Sequence, residues 1–311
     1  MEKCIKIETV GLIGLGAVGT LYAGRLLEAG ADIRVIVDEV RAARYARDGV
    51  YCNGARIDFP YATPAQAEPV DLLLIATKAG GLAGALDTAS GFIGSHTLIV
   101  CLINGVTSEG VIAARFGGEN VLYSVAQGMD ATKAGNRLTY KSPGRIVLGE
   151  KQPGPVSARV QAVADYLIAH NVMCQPVEDM VRRQWGKLMF NVGLNQTCMV
   201  FEGDYGMVQR EGRPREVMIG AMREAQMLAG LEGFPISGEE FDEWLRLLDT
   251  FAPEGQPSMR QDGIARRKTE VELFSGTMLN LAKKYGVEVP VNRWLYERIT
   301  AMEAEFASGR D

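Results

Sequence analysis

Short apolar runs alternate with longer helical patterns in the first half of the chain. Four of the runs are too short for helices and predict strands. They are Thr9–Ile13, Asp32–Val37, Asp71–Thr77 and Leu98–Ile103. Between the first two runs, Val18–Ala29 has the length and spacing of a helix. Strands that alternate with helices predict a parallel sheet with helices on both faces.

The pattern changes twice further along the chain. Over Val121–Glu150, short segments separated by glycines predict antiparallel strands that extend the sheet, and a helix over Ser157–His170 and a strand over Val172–Pro176 then close the domain. Beyond about Glu178 only helical patterns follow. They are Met180–Leu194, Pro214–Leu228, Gly238–Phe251 and Arg260–Tyr285. We therefore predict an α/β domain over residues 1–178 and an all-α domain over residues 179–311.

A glycine-rich segment joins the first predicted strand to the first predicted helix. Its residues are Gly14, Leu15, Gly16, Ala17, Val18 and Gly19. In a dinucleotide-binding βαβ unit, three such glycines permit the tight turn, the approach of the pyrophosphate and close helix–strand packing. The helix N-terminus adds free N–H groups. The alternative is a glycine-rich turn without a ligand, but the spacing of strand, helix and second strand favours a Rossmann-type, doubly wound domain.

The end of the second strand bears on which nicotinamide cofactor is used. Asp38 follows that strand, and an acidic group there favours the free 2′-hydroxyl of NADH over the 2′-phosphate of NADPH. Arg41 and Arg44 lie one and two helical turns further on, and either could pair with a 2′-phosphate. Asp38 could instead cap the following helix. The choice of cofactor stays open on the sequence.

The first predicted helix of the second domain carries a polar stripe. Lys187, Asn191 and Asn195 are four residues apart and share one helix face, while their neighbours are apolar. Polar groups on a buried helix need a partner, water or a ligand. A lysine there could protonate a carbonyl oxygen that receives hydride, with the amides orienting the substrate. The alternatives are a solvated helix face or amides that bond an adjacent loop.

Composition narrows the class of protein. Hydrophobic residues make up 47%, charged residues 23%, and the net charge is −5, which gives no reason to expect nucleic acid or an anionic membrane as a partner. The five cysteines are scattered and form no CxxC pair, which favours free thiols in the cytoplasm. The two histidines are far apart, so we expect neither a metal site nor a Ser-His-Asp triad. No apolar run reaches the ~20 residues of a membrane span.

Taken together, these segments resemble the ketopantoate reductase (2-dehydropantoate 2-reductase) family over nearly the whole chain. The resemblance is carried by GLGAVG at Gly14–Gly19, TK at Thr77–Lys78, NG at Asn104–Gly105, WGKLMFNVGLN at Trp185–Asn195, PSMRQD at Pro257–Asp262 and TE at Thr269–Glu270. It implies an N-terminal Rossmann-type domain and a C-terminal all-α domain like that of 6-phosphogluconate dehydrogenase. It also implies NADPH as cofactor.

The resemblance implies roles for seven residues. Lys187 would be the general acid, Asn191 and Asn195 would hold the hydroxyl end of the substrate, and Ser258 would bind its carboxylate. Glu270 would lie between substrate and cofactor, and Lys78 and Asn104 would reach both from the first domain. Each of the last four also has a purely structural interpretation. These interpretations are a helix N-cap for Ser258, an exposed helix charge for Glu270, a solvated side chain for Lys78 and a turn at Asn104-Gly105.

Three positions depart from the family pattern. Asp38 stands where a phosphate-binding arginine is usual, Gln196 replaces a common proline, and Tyr205 stands where some members have another polar contact. The resemblance nevertheless implies reduction of the 2-oxo acid ketopantoate to (R)-pantoate in pantothenate biosynthesis. The alternatives are a related dehydrogenase of another 2-oxo or hydroxy acid, and a non-catalytic nucleotide-sensing protein of the same fold. Apolar helices in the second half could support a homodimer.

Overall fold

The computed structural model describes residues 5–309 and divides the chain into two compact units. The boundary falls between Val181 and Arg182, within the first turn of a long helix. Among the described residues, no helix combines the length and the apolar character that crossing a bilayer requires. The two units are described in turn.

The first unit is built on a twisted sheet with the strand order β12-β11-β8-β7-β6-β1-β2-β5. The strands are β1 (Thr9–Ile13), β2 (Asp32–Ile36), β3 (Val50–Cys52), β4 (Ala55–Ile57), β5 (Tyr61–Ala62), β6 (Leu72–Ile75), β7 (Leu98–Cys101), β8 (Val121–Met129), β9 (Thr132–Ala134), β10 (Arg137–Thr139), β11 (Pro143–Gly149) and β12 (Cys174–Pro176). All neighbours in this sheet are parallel except β8 and β11. Every residue of β6 and β7 is buried, as expected for strands covered on both faces.

The strands predicted over Val121–Glu150 are only partly correct. The first of them, β8, pairs in parallel with β7 and antiparallel with β11, so it does extend the large sheet. However, β9 and β10 belong to a separate small sheet of order β4-β3-β10-β9. A parallel pairing of Tyr51 with Arg137 joins its two hairpins. That contact joins residues 86 positions apart, and local patterns cannot reveal it.

Helices cover the sheet of the first unit. They are α1 (Ala17–Glu28), α2 (Glu39–Asp48), α3 (Leu82–Ala89), α4 (Ser108–Phe116) and α5 (Ala158–Ala169). Leu21, Tyr22 and Leu26 of α1 are at most 1% exposed and pack with the strands into one apolar core. The predicted α/β architecture of this half is therefore confirmed.

The second unit is helical, as predicted. Its helices are α6 (Met180–Val200), α7 (Tyr205–Gln209), α8 (Arg213–Leu231), α9 (Gly238–Asp249), α10 (Ser258–Ile264), α11 (Thr277–Tyr285) and α12 (Pro290–Ser308). The single long helix predicted over Arg260–Tyr285 is wrong, because α10 ends at Ile264 and a non-helical segment follows. The chain regains helical form only through a π-helical turn, Glu272–Gly276, which leads into α11.

A buried amide supports this π-helical turn. Gln196 of α6 is fully buried, and its Oε1 accepts a hydrogen bond of 3.2 Å from the backbone N–H of Ser275. Its Nε2 donates to the Val192 carbonyl at 2.8 Å. A widened turn displaces backbone groups from their regular helical partners, and a buried N–H needs a replacement acceptor. The departure from proline at this position therefore has a structural reason.

Candidate active site

Three candidates of the first unit lie at one edge of the large sheet. The register places the carboxyl ends of β1, β6 and β7 side by side. Gly14 follows β1 directly, whereas Lys78 and Asn104 each lie three residues beyond the ends of β6 and β7. Lys78 is exposed and Asn104 is half-buried. Ligands of doubly wound sheets bind at this edge, so the structure brings these residues together where the resemblance places the cofactor.

The glycine-rich loop has the geometry of a phosphate cradle. Gly14 has φ +102°, and a Cβ on it would lie 2.7 Å from the backbone of Ala76. A Cβ on Gly19 would lie 1.8 Å from the Gly14 carbonyl oxygen. By contrast, a Cβ on Gly16 would meet only the Ala76 oxygen, at 3.6 Å, and Gly16 is exposed. The fold itself needs the first and third glycines, while the second leaves the room that a pyrophosphate requires, so the loop fits a dinucleotide.

Asp38 does cap the helix that follows it. Its Oδ1 accepts a hydrogen bond of 2.7 Å from the backbone N–H of Arg41, and its Oδ2 pairs with the Arg41 guanidinium. The carboxylate and the arginine are both accessible, at 34% and 59% side-chain exposure. The structural interpretation of Asp38 is thus correct, but it leaves the carboxylate within reach of a ribose.

Sequence reasoning missed one cation at the glycine-rich loop. Lys133 of β9 donates a hydrogen bond from Nζ to the Leu15 carbonyl and a second, of 2.8 Å, to Thr20 Oγ1. Leu15 and Lys133 are 118 positions apart in the sequence. No motif signals this contact, because it depends on how the small sheet packs against α1.

The polar stripe of the second unit lies on a buried helix. Asn195 is 5% exposed, and Lys187 and Asn191 are partly buried. Residues beside them on α6, such as Leu188 and Val192, are at most 1% exposed. A solvated helix face is therefore excluded, and the stripe faces protein groups of its own unit at least in part.

Lys187 has an unusual acidity for a lysine. Burial lowers its pKa from 10.5 to about 8, while the nearby carboxylate of Glu270 acts in the opposite direction. Low polarity around an ammonium group disfavours its charged form, and a neighbouring anion favours it. The amine is therefore largely protonated at neutral pH, yet it releases its proton far more readily than an ordinary lysine.

Ser258 contacts the polar stripe from another helix of the second unit. Ser258 is exposed at the first position of α10, and its Oγ lies 3.5 Å from the Asn195 amide nitrogen. Pro257 holds the N-cap position of α10, so the N-cap interpretation of Ser258 is wrong. The backbone N–H of Tyr205 donates to the Gly255 carbonyl at 2.9 Å, which fixes the loop that leads to Ser258.

Thr269, the residue before Glu270, is anchored to α12 by two hydrogen bonds. The N–H and hydroxyl of Thr269 both donate to a carboxylate oxygen of Glu303 on α12, at 2.7 and 2.6 Å. Glu270 itself is half-buried and interacts with Lys187. The interpretation as an exposed helix charge is therefore wrong. The structure brings Lys187, Asn191, Asn195, Ser258 and Glu270 into one unit, where Asn195 contacts Ser258 and Lys187 interacts with Glu270.

A row of aromatic rings lies beside the polar stripe, and we call it the aromatic row. It consists of Tyr205, Phe251, Phe190 and Trp244, whose successive centroids are 5.0, 6.1 and 5.1 Å apart. Phe190 follows Lys187 by three residues, so the two side chains are about 60° apart around α6. Sequence reasoning noticed only Tyr205 as a possible substitute contact, and the row itself was missed.

A glycine-rich βαβ unit at the edge of a doubly wound sheet is typical of dinucleotide-binding proteins. The family model described as "Ketopantoate reductase PanE/ApbA" matches residues 10–153, and its C-terminal counterpart matches residues 179–303. The chain belongs to the ketopantoate reductase family.

Curated relatives agree with this assignment, and solved structures share the fold. A 2-dehydropantoate 2-reductase of Streptococcus pyogenes is 25% identical over 95% of this chain and 98% of its own length. The Aquifex aeolicus protein of the same name is 24% identical, over 94% and 96% of the two chains. Among solved structures, a ternary complex of D-mandelate dehydrogenase with NADH and anilino(oxo)acetate has a TM-score of 0.86 at 22% identity, covering 96% and 99% of the chains. A ketopantoate reductase from Ralstonia eutropha has a TM-score of 0.82 at 21% identity, with the same coverage.

Proposed function

We propose that this protein reduces a 2-oxo acid to a 2-hydroxy acid with NAD(P)H, and that the acid is ketopantoate, which becomes (R)-pantoate. The observation that carries the proposal is the environment of Lys187. This lysine has a pKa of about 8 and interacts with Glu270. The helix that holds it also carries the amides of Asn191 and Asn195. Family membership supports ketopantoate as substrate, and with it a role in cytoplasmic pantothenate biosynthesis. A homodimer is also proposed, since apolar helices are abundant in the second unit.

Reduction of the carbonyl group requires a proton donor at the substrate oxygen. Bound NAD(P)H supplies the hydride to the carbonyl carbon. Lys187 donates a hydrogen bond to the carbonyl oxygen, stabilises the negative charge that develops there and then transfers its proton to that oxygen. A pKa near 8 matches this task, because the donor is charged at neutral pH and yet gives up its proton easily. Glu270 keeps the amine charged until the transfer.

The remaining polar groups orient the substrate. Asn191 and Asn195 bind the hydroxyl end of ketopantoate, and the exposed hydroxyl of Ser258 binds its carboxylate. Asn195 Nδ2 and Ser258 Oγ are 3.5 Å apart, so the groups proposed to bind the two ends of the substrate lie close together. Lys78 and Asn104 serve the cofactor and the substrate from the first unit, and Gly14–Gly19 binds the pyrophosphate.

Asp38 makes NADH the better cofactor in this proposal. The hydroxyls of an unphosphorylated ribose can donate to the carboxylate, whereas a 2′-phosphate is repelled by it. NADPH would have to draw Arg41 away from its ion pair with Asp38. The family resemblance favours NADPH, so both cofactors are to be compared directly.

A second candidate substrate is a 2-oxo acid with an aromatic side chain. The aromatic row beside Lys187 offers ring faces and edges that favour aromatic groups. The likeness to D-mandelate dehydrogenase supports the same possibility. In this case Tyr205 and Phe251 would contact the ring of the substrate, and the chemistry at Lys187 would be unchanged.

The test is to mix the purified protein with NADH or NADPH and follow oxidation of the nicotinamide by absorbance. Ketopantoate and benzoylformate are compared as substrates. Faster turnover of ketopantoate supports the first candidate, and turnover of benzoylformate alone supports the second. Oxidation with neither acid and neither cofactor overturns the proposed function.

A matched pair of variants tests the acid. Lys187→Ala is expected to lower kcat/KM by about 10²–10⁴-fold, the usual contribution of a general acid. Lys283→Ala removes an exposed lysine of α11 and should leave the rate unchanged. If Lys187→Ala turned over near the parent rate, the proposed acid would be wrong.

A further inference from the structure

Lys133 links three parts of the first unit at the glycine-rich loop. It lies on β9, in the small sheet, and its side chain is half-buried. Its Nζ donates to the backbone oxygen of Leu15, within the loop, and to the hydroxyl of Thr20, in the first turns of α1. Thr20 is fully buried, so the amine ends in an interior position rather than at the surface.

The bond to Leu15 fixes the orientation of one peptide group of the loop. The C=O of Leu15 and the N–H of Gly16 belong to the same planar trans peptide and point in opposite directions. A donor that holds the carbonyl on the interior side therefore directs the Gly16 N–H to the other side. Gly16 is exposed there. The same amine also ties the loop to α1 through Thr20, so the loop and the helix N-terminus are held as one piece.

The surroundings of Lys133 lower its pKa, so that an added anion would change its protonation. Burial lowers its pKa to about 8, the positive charge of Arg44 on α2 lowers it further, and Cys52 of β3 has a small opposite effect. The carboxylate of Glu28 on α1 helps to raise the pKa of the Cys52 thiol. Among the described residues, the charges that shift the pKa of this lysine are those of Arg44 and Cys52, and neither is a carboxylate. A pyrophosphate on the loop would supply a negative charge and favour the ammonium form.

We propose that Lys133 is a positioning residue of the dinucleotide site, which orients the Gly16 N–H toward the pyrophosphate and places a positive charge behind the loop. This inference rests on the proposed function only in assigning the loop to a dinucleotide. It predicts that anion binding at the loop and protonation of Lys133 favour each other. A lysine with a merely structural role would show no such coupling.

The test measures the Kd of ADP-ribose by calorimetry between pH 6.5 and 9.5. ADP-ribose carries the pyrophosphate but no nicotinamide. The variants are Lys133→Met, Lys133→Arg and the control Lys141→Met, which alters an exposed lysine shortly after β10. Circular dichroism and thermal melting show whether each variant folds.

For the wild type and Lys141→Met, we expect the affinity for ADP-ribose to fall as the pH rises through about 8. The amine of Lys133 in the unliganded protein loses its proton there. Lys133→Met should bind at least tenfold more weakly at pH 7 and lose that pH dependence. Lys133→Arg should restore binding and remain flat up to pH 9, since arginine stays charged.

Wild-type affinity for Lys133→Met, or pH profiles that run parallel for all four proteins, would overturn the inference. If Lys133→Met fails to fold, the comparison of Lys133→Arg with the wild type still decides, because equal slopes refute the coupling. Failure of the wild type to bind ADP-ribose, NADH and NADPH would refute the proposed function instead.

Discussion

Replacing Lys187 by methionine should stabilise the protein while it abolishes turnover. The change keeps the length of the side chain and removes only the ammonium group from an apolar environment. Phe190, one helical turn further along α6, is 5% exposed, so the site has apolar packing on one side. Functional groups held in unfavourable surroundings commonly lower stability in this way.

The size of the effect follows from the pKa of Lys187. The pKa falls from 10.5 to about 8 on folding, and each unit corresponds to about 1.4 kcal/mol, so the charged form costs about 3.5 kcal/mol. Below pH 8 both folded and unfolded chains are protonated, and the whole cost is present. Between pH 8 and 10.5 only the unfolded chain keeps the proton, so the wild type gains stability as the pH rises. The figure already includes the attraction to Glu270, which opposes the cost of burial.

The assay is differential scanning calorimetry of both proteins at pH 7 and at pH 10. At roughly 2–4 °C for each kcal/mol, we expect Lys187→Met to melt about 7–14 °C higher at pH 7. The difference should shrink at pH 10. A variant that melts lower than the wild type at pH 7, or a difference that does not change with pH, would refute this account. In the wild type, the rate of reduction should fall above pH 8 as Lys187 loses the proton it donates.

Three further substitutions separate folding from binding. Gly16→Ala should fold normally and bind NADH at least tenfold more weakly. Gly19→Ala should instead lower the melting temperature by many degrees. Equal melting temperatures of the two variants would contradict the assigned roles. Asp38→Ser keeps a helix cap but removes the carboxylate, so the ratio of kcat/KM for NADPH over NADH should rise about tenfold or more; an unchanged ratio would remove Asp38 from cofactor selection. Ser258→Ala should raise KM for the 2-oxo acid about tenfold, the weight of a hydrogen bond to a charged group, with little effect on melting; an unchanged KM would exclude Ser258 from carboxylate binding.

Local patterns were sufficient where local forces decide the structure. The strand Thr9–Ile13 has the predicted bounds, because a continuous apolar run bounded by a glycine turn has few alternatives. The spacing of Lys187, Asn191 and Asn195 also identified one face of α6 correctly, since the helical period fixes it. These two features already indicate a βαβ unit and the helix that carries the proposed acid.

Local patterns failed where distant residues decide the structure. The π-helical turn Glu272–Gly276 is supported by Gln196, whose amide oxygen accepts a hydrogen bond from the N–H of Ser275 about 80 residues later in the chain. Lys133 likewise becomes part of the loop site only through the packing of the small sheet. Neither residue belongs to a motif, so sequence reasoning could assign them no role.

The π-helical turn Glu272–Gly276 makes the direction of Glu270 a matter of residue count. Each helical residue contributes about 100° of rotation, and this turn holds one residue more than an α-helical turn over the same span. The extra residue therefore swings everything before it, including the carboxylate that faces Lys187, about 100° around the axis of α11. Deleting one residue of the turn would preserve every side chain of the site and still point Glu270 elsewhere. Homologous chains that differ in length here can carry the same residues and yet aim them at different chemistry.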